Sequence, residues 1–198
     1  MLLYDSRVSG NCYKVRLLFA HLGLSYERQE VDVVERAGRL ELLGELNPGL
    51  RVPTLVLDDG RSLAESNAIT WFFSRDTPYL PEDEFECAQV LQWMFFEQYS
   101  HEPNIAVLRF WSQFARVKPT DTEVEAKLKS GYAALDAMER HLSSHKFFVA
   151  ERYTIADIAL YAYTHVADEG GFDLSRYPHL HTWLVRVAEQ PAHIPIDA

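Results

Sequence analysis

The stretch 77–86 constrains this chain more than any other part of it. Thr77-Pro78-Tyr79-Leu80-Pro81-Glu82-Asp83-Glu84 sets two prolines and an acidic run between segments of different periodicity. Proline cannot continue a helix and pushes its predecessor towards extended backbone, so the stretch reads as a linker. Before it, short apolar runs alternate with helical stripes. After it, every apolar pattern is helical. Charge divides at the same place. Residues 1–80 carry 9 basic and 11 acidic side chains, and residues 81–198 carry 10 and 18, which gives -2 and -8 of the net -10. The expected organisation is a first domain over 1–76, a linker over 77–86 and a second domain over 87–198.

In the first domain, Met1–Asp5 predicts a strand, Cys12–Leu22 a helix with Gly23 as its stop, and Tyr26–Val33 a second strand. Glu35–Leu46 predicts a helix broken by Asn47-Pro48-Gly49. Thr54–Leu57 and Ser62–Leu63 predict a hairpin turning at Asp58-Asp59-Gly60, and Ser66–Arg75 a closing helix. The order β-α-β-α-β-β-α gives a small mixed sheet with helices packed on it. The second domain predicts helices over Phe85–Phe114 with a kink or break at Pro103, then Thr122–Ser143, Thr154–Asp168 and Pro178–Glu189. The fold class is therefore α/β plus all-α.

Composition narrows the function classes. No run approaches the ~18 apolar residues of a membrane span. The acidic balance argues against nucleic acid and anionic membrane as main partners. Two cysteines in 198 residues make no disulfide framework. Met1–Gly10 has neither the basic flank nor the long apolar run of an export signal, so a cytoplasmic location is expected. His141-x-x-x-His145 and His179-x-His181 have metal-like spacing but lack cysteine or a carboxylate cluster, so no metal is expected.

Three places can carry chemistry. Ser9-Gly10-Asn11-Cys12 sits where a strand turns into a helix, with backbone N–H groups and the positive dipole end exposed to a ligand. Its spacing is that of C-x-x-C with serine in the first place. Ser9 either caps the helix or donates to a partner's thiolate, which serine cannot bond covalently as a disulfide. Cys12 reads as a buried small hydrophobe. Arg51-Val52-Pro53-Thr54 enters a strand through a proline, which leaves neighbouring backbone unpaired and open to an extended peptide-like ligand. Glu65-Ser66 opens a helix; Ser66 can cap it or hold a carboxylate, and Glu65 can pair with an ammonium group.

Taken in order, these pieces resemble the cytosolic glutathione transferases, of a serine-type, bacterial-like kind. The carriers are Ser9-Gly10-Asn11-Cys12-Tyr13-Lys14-Val15-Arg16, Asn47-Pro48 leading to Arg51-Val52-Pro53-Thr54-Leu55, and Leu63-Ala64-Glu65-Ser66-Asn67-Ala68-Ile69. A fourth, Thr154-Ile155-Ala156-Asp157-Ile158-Ala159, looks like that family's capping box. The resemblance implies a thioredoxin-like domain holding glutathione as co-substrate and a helical domain contributing the pocket for a small hydrophobic electrophile. It implies that Ser9 hydrogen-bonds the glutathione sulfur and that Val52 pairs main chain to main chain with the cysteinyl unit before a cis Pro53. Glu65 and Ser66 would hold the γ-glutamyl ammonium and carboxylate, with Arg39 and Arg51 near the glycine carboxylate. Many relatives carry proline where Asn11 stands; here Asn11 is a second candidate donor to the sulfur. The family's tyrosine aligns with Asp5, and a slip of one residue on a strand reverses the face, so Tyr4 is assigned to packing.

In the helical half, His101, Ile105 and Arg109 are spaced by four and share a helix face with Phe110 beside them, the expected border of the electrophile pocket. The expected activity is glutathione transfer by a homodimer, in a family whose members also isomerise, dehalogenate or reduce. The competing readings are a glutathione-dependent disulfide or peroxide reductase and a non-catalytic module of the same fold.

Overall fold

A computed structural model of the chain describes residues 1–35, 37–115 and 118–198. Its contacts divide it into two units, Met1–Arg75 with Pro191–Ala198, and Asp76–Gln190. The final segment thus belongs to the first unit, although the sequence placed all of 87–198 in the helical domain. Periodicity could not show this. The segment has no pattern of its own, and its carbonyls are taken by Tyr13 and Arg16, side chains nearly two hundred residues earlier.

The first unit is built on four strands: β1 (Leu2–Asp5), β2 (Glu27–Glu30), β3 (Thr54–Val56) and β4 (Ser62–Ala64), in the order β2-β1-β3-β4. β1 and β2 are parallel, joined through helix α1 (Gly10–Leu22); β3 is antiparallel to β1 and to β4. Leu3, Val15, Phe19, Leu55 and Ile69 form the core beneath the sheet, with Leu24, Tyr26 and Phe73 packed against it. β2 is shorter than the expected 26–33. Its residues Glu27-Arg28-Gln29-Glu30 are all exposed, a charged edge that discourages further strand pairing.

α1 ends as the sequence says. Gly23 has φ 63°, its N–H donates to Ala20 O, and Leu24 N–H donates to Phe19 O, the paired bonds of a Schellman stop. α2 spans only Arg39–Leu43, against the expected 35–46. Gly38 precedes it at φ 76°, a conformation that breaks right-handed helix; Arg36 lies outside the described residues. α3 (Ser66–Ser74) closes the unit.

In the second unit α4 (Glu84–Phe96) runs through a π turn at Glu97–His101 into α5 (Glu102–Gln113). The break expected at Pro103 is thus a widening. Glu102 N–H reaches back to Glu97 O, and Asn104 Nδ2 donates to Ser100 O at 2.7 Å. α6 (Asp121–Leu142), α7 (Ile155–Thr164) and α8 (Pro178–Ala188) complete it. α7 stops short of the expected Asp168, and a 3-10 turn follows at Ala167–Gly170. The α7 start is a capping box. Asp157 is fully buried and accepts from Thr154 N, Phe148 N and Trp183 Nε1, tying three segments together. No helix of the described residues is long and apolar enough to cross a membrane.

Candidate functional site

Strand register gathers the three sequence features at one end of the sheet. Thr54 is opposite Tyr4 on β1 and opposite Ala64 on β4. Continuing two residues from Thr54 sets Val52 level with Ser6 on one side and Ser66 on the other. The β1–α1 loop, the proline turn and the start of α3 therefore converge. One hydrogen bond closes the group: Ser66 Oγ donates to Asn11 Oδ1 at 3.2 Å, joining the N-terminal turns of α1 and α3. Two helix N-termini, each a partial positive charge, lie together there.

Ser9 is the N-cap of α1 at φ -83° and ψ 121°, and its Oγ accepts from Cys12 N at 3.3 Å. The cap uses an oxygen lone pair and leaves the hydroxyl proton available to donate. Capping and donation to an anion, which the sequence set as alternatives, are compatible. Cys12 is fully buried behind it, and its Sγ accepts from Ser6 N. Burial, with the negative Asp5 nearby, pushes this thiol well above the ordinary range. Cys12 is therefore a protonated packing residue, as its place on the helix suggested.

The Val52–Pro53 bond is cis. No hydrogen bond joins the Val52 main chain to another of the described residues. The turn is held by Asn47, which the sequence offered as a helix breaker and as part of the resemblance but not as a turn builder. Its Nδ2 donates to Arg51 O at 3.0 Å and Thr54 Oγ1 at 2.9 Å, and its Oδ1 accepts from Gly49 N. Asn followed by Pro-Gly is a turn-building signal that could have identified this role. Glu65 sits at φ 67°, strained for a residue with a side chain, and is itself the N-cap position of α3. Ser66 is the first helical residue, not the cap, and its hydroxyl is turned to Asn11. The Glu65 carboxylate is exposed and has no ion pair among the described residues.

Arg39 is placed differently from expectation. Its guanidinium donates to Leu50 O and Asp32 O, bracing the loop that leads to the proline turn. Arg51 is exposed. Tyr4 lies on β1 between Gln29 and Thr54. Asp5 is a buried carboxylate held by Arg16 and Arg28.

Comparison with known proteins decides the family. Residues 8–76 match the profile described as "Glutathione S-transferase, N-terminal domain", and residues 92–191 match "Glutathione S-transferase, C-terminal domain". The chain belongs to the glutathione S-transferase family. Its fold is similar to a glutathione S-transferase crystal structure from Pseudomonas fluorescens [Pf-5], at 49% identity and TM-score 0.93, covering 98% of both chains. A possible glutathione S-transferase from Rhodopseudomonas palustris is 44% identical at TM-score 0.93, covering 100% of this chain and 98% of that one. Among curated proteins, the glutathione S-transferase-like protein LUC7 of Fusarium sp is 30% identical over 152 residues, 72% of this chain and 68% of that protein.

Within the helical unit of this transferase-family chain, the four residues expected to border a pocket do not share one environment. His101 and Ile105 have no exposed surface. Thr164 spends its hydroxyl proton on Leu160 O, so His101 Nε2 is the donor in the 2.8 Å bond to Thr164 Oγ1. Both residues pack inward, because the helical stripe they belong to faces the unit's core. Arg109 is nearly buried and pairs through Nε with Glu169 at 2.7 Å. Phe110 keeps part of its surface and lies 5.9 Å from the Phe114 ring. Among the described residues there is no group of three His, Cys, Asp or Glu side chains suited to a metal ion.

Proposed function

We propose that this protein is a glutathione transferase that binds glutathione at the convergent end of the sheet and stabilises its sulfur as a thiolate for attack on small hydrophobic electrophiles. The observation that carries this reading is the Ser66–Asn11 hydrogen bond, which puts two helix N-termini and the Ser9 hydroxyl at one place. The open Val52 main chain supports pairing with an extended peptide before Pro53. Glu65 offers a carboxylate to the γ-glutamyl ammonium, and Ser66 a helix-start N–H to its carboxylate. Arg51 is available to the glycine carboxylate, whereas Arg39 shapes the loop.

The energetics close. A free thiol has a pKa of about 8.5, so about 3% is ionised at pH 7. Lowering it by about two units takes roughly 2.7 kcal/mol of preference for the anion. A hydrogen bond to a charged sulfur contributes about 1.5–3 kcal/mol, and a helix N-terminus about 0.3–1. Ser9 never ionises. It donates to the sulfur, which attacks the electrophilic carbon while the leaving group departs with its electron pair. The protein supplies orientation and a donor already in place. Absence of a reactive cysteine at the first C-x-x-C position, with Cys12 buried, disfavours a mixed disulfide on the protein. Phe110 is the electrophile-side residue of the expected set that retains apolar surface.

Ultraviolet titration of bound glutathione tests this. In the wild type the thiolate should be present at neutral pH. Ser9→Ala should raise its midpoint by about one to two units while the dissociation constant moves by less than about threefold. Glu65→Ala should weaken binding about tenfold or more with the midpoint unchanged. A sulfur that remains protonated at neutral pH in the wild-type complex would sink the reading. Turnover of an aryl halide but not of a small disulfide separates transfer from reduction.

A further inference from the structure

At the root of the candidate site one buried guanidinium serves four acceptors. Arg16 is 1% exposed. Its Nη1 donates to Asp5 Oδ1 at 2.6 Å and to Ser6 O at 3.3 Å. Its Nη2 donates to Arg7 O at 3.2 Å and to the Ile196 carbonyl of the returning C-terminal segment. Asp5 ends β1, and Ser6 and Arg7 begin the loop whose last residue is Ser9. Asp5 also pairs with Arg28 at 2.6 Å, and Arg28 Nη1 donates to Ala198 O at 2.8 Å. One turn earlier on α1, Tyr13 Oη donates to Ile194 O at 2.7 Å. The segment 191–198 is thus laid along α1 by side chains of that helix and of the neighbouring strand.

We propose that Arg16 is a positioning residue for the glutathione thiol site, and that the docked C-terminal segment completes it by fixing the guanidinium that holds the Ser6 and Arg7 carbonyls and so presents Ser9. The planar fork is what the arrangement needs. The four N–H groups on its two Nη atoms point in fixed directions and reach a carboxylate and three carbonyls together, which a lysine ammonium with three donors does not. Asp5 is buried and ion-paired with both Arg16 and Arg28, so moving the Arg16 guanidinium away would strip a buried carboxylate of one of its partners. The consequence runs through geometry. A donor to sulfur works only at hydrogen-bond distance and angle, and a loop released by a few tenths of an ångström loses the bond while the rest of the tripeptide stays held. The inference rests on the glutathione reading above, and its test separates the two.

Two variants in the full chain carry the test. Arg16→Lys keeps the positive charge beside Asp5 and removes the fork. Tyr13→Phe keeps the ring and removes only the hydroxyl that holds Ile194 O. For each, calorimetry gives the glutathione dissociation constant, ultraviolet titration gives the midpoint of the bound thiol, and hydrogen exchange reports the amides of residues 6–12. Arg16→Lys should bind glutathione within about threefold of the wild type yet titrate about one unit higher, with kcat reduced and KM held. Tyr13→Phe should move the midpoint in the same direction by less, and both should exchange faster over 6–12. Lower melting temperatures with unmoved midpoints and unmoved exchange would make Arg16 a stability residue only and overturn the proposal. A shift in Arg16→Lys with none in Tyr13→Phe would overturn the part assigned to the C-terminal segment. Should Arg16→Lys fail to fold, Tyr13→Phe decides alone. If the wild type itself holds no thiolate, the glutathione reading fails, and the exchange measurement still decides whether Arg16 and the segment set the loop.

Discussion

Single residues here serve two purposes at once, and Asp157 shows the cost. It is completely buried, and burial pushes its carboxyl up to about 6 even though Trp183, Thr154 and Phe148 donate to it. A carboxyl raised in the folded state holds its proton more tightly than in the unfolded chain. Its stabilising contribution is therefore complete below about pH 4 and is lost as the pH rises through about 6. The stability difference between wild type and Asp157→Asn, from urea unfolding, should fall by about 2–3 kcal/mol across that window. A difference that is flat in pH would overturn this. Thr154 and Asp157 were legible as a capping box from their spacing, but the bonds to Phe148 and Trp183 were not, because those partners come from other segments. Ser9 is similar. Its cap follows from local sequence, whereas Arg16's hold on the loop before it depends on residues that only folding brings near.

Elements followed the sequence where local chemistry set their ends and departed from it where long-range contacts did. Gly23 closes α1 through bonds within its own turn. The start of α6 is equally local. Thr120 and Glu123 form a capping box in the S/T-x-x-E pattern, though the periodicity alone put the helix start at Thr122. Further along α6, Gly131 exists for a neighbour. A Cβ there would lie 2.4 Å from Phe172 Cζ, and the Phe172 ring is buried. Gly131→Ala gains up to about 1 kcal/mol of helix propensity but overpacks the ring at about 1–3 kcal/mol. Urea unfolding should show a net loss, partly recovered by Phe172→Leu in the same chain. A midpoint equal to or above the wild type would sink the assignment.

At the scale of the whole molecule, α4 and the π turn present an exposed stripe at Phe85, Ala88, Gln92, Phe95 and Tyr99. Phe85 is 71%, Phe95 68% and Tyr99 88% exposed. Alternate steps of three and four are those of a helix seam, and a twofold axis makes one such stripe meet its own copy. The homodimer implied by the resemblance is expected to use this face. Light scattering should find a dimer in the wild type and a monomer in the double variant Phe95→Glu, Tyr99→Glu; a wild-type monomer would refute it. The sequence by itself determined the two-part organisation, the α/β and all-helical patterning, the locally closed end of α1 at Gly23 and the choice of Ser9, Val52, Pro53, Glu65 and Ser66 as site candidates. These rest on short-range propensity and spacing, which one strand of text contains. Only the tertiary structure decided that 191–198 returns to α1, that His101 and Ile105 face inward, that Asn11 meets Ser66 and that Arg16 holds the loop under Ser9. Each of those depends on which distant groups arrive at the same place, and burial then fixes the partners because an unpaired polar group away from water is too costly to leave.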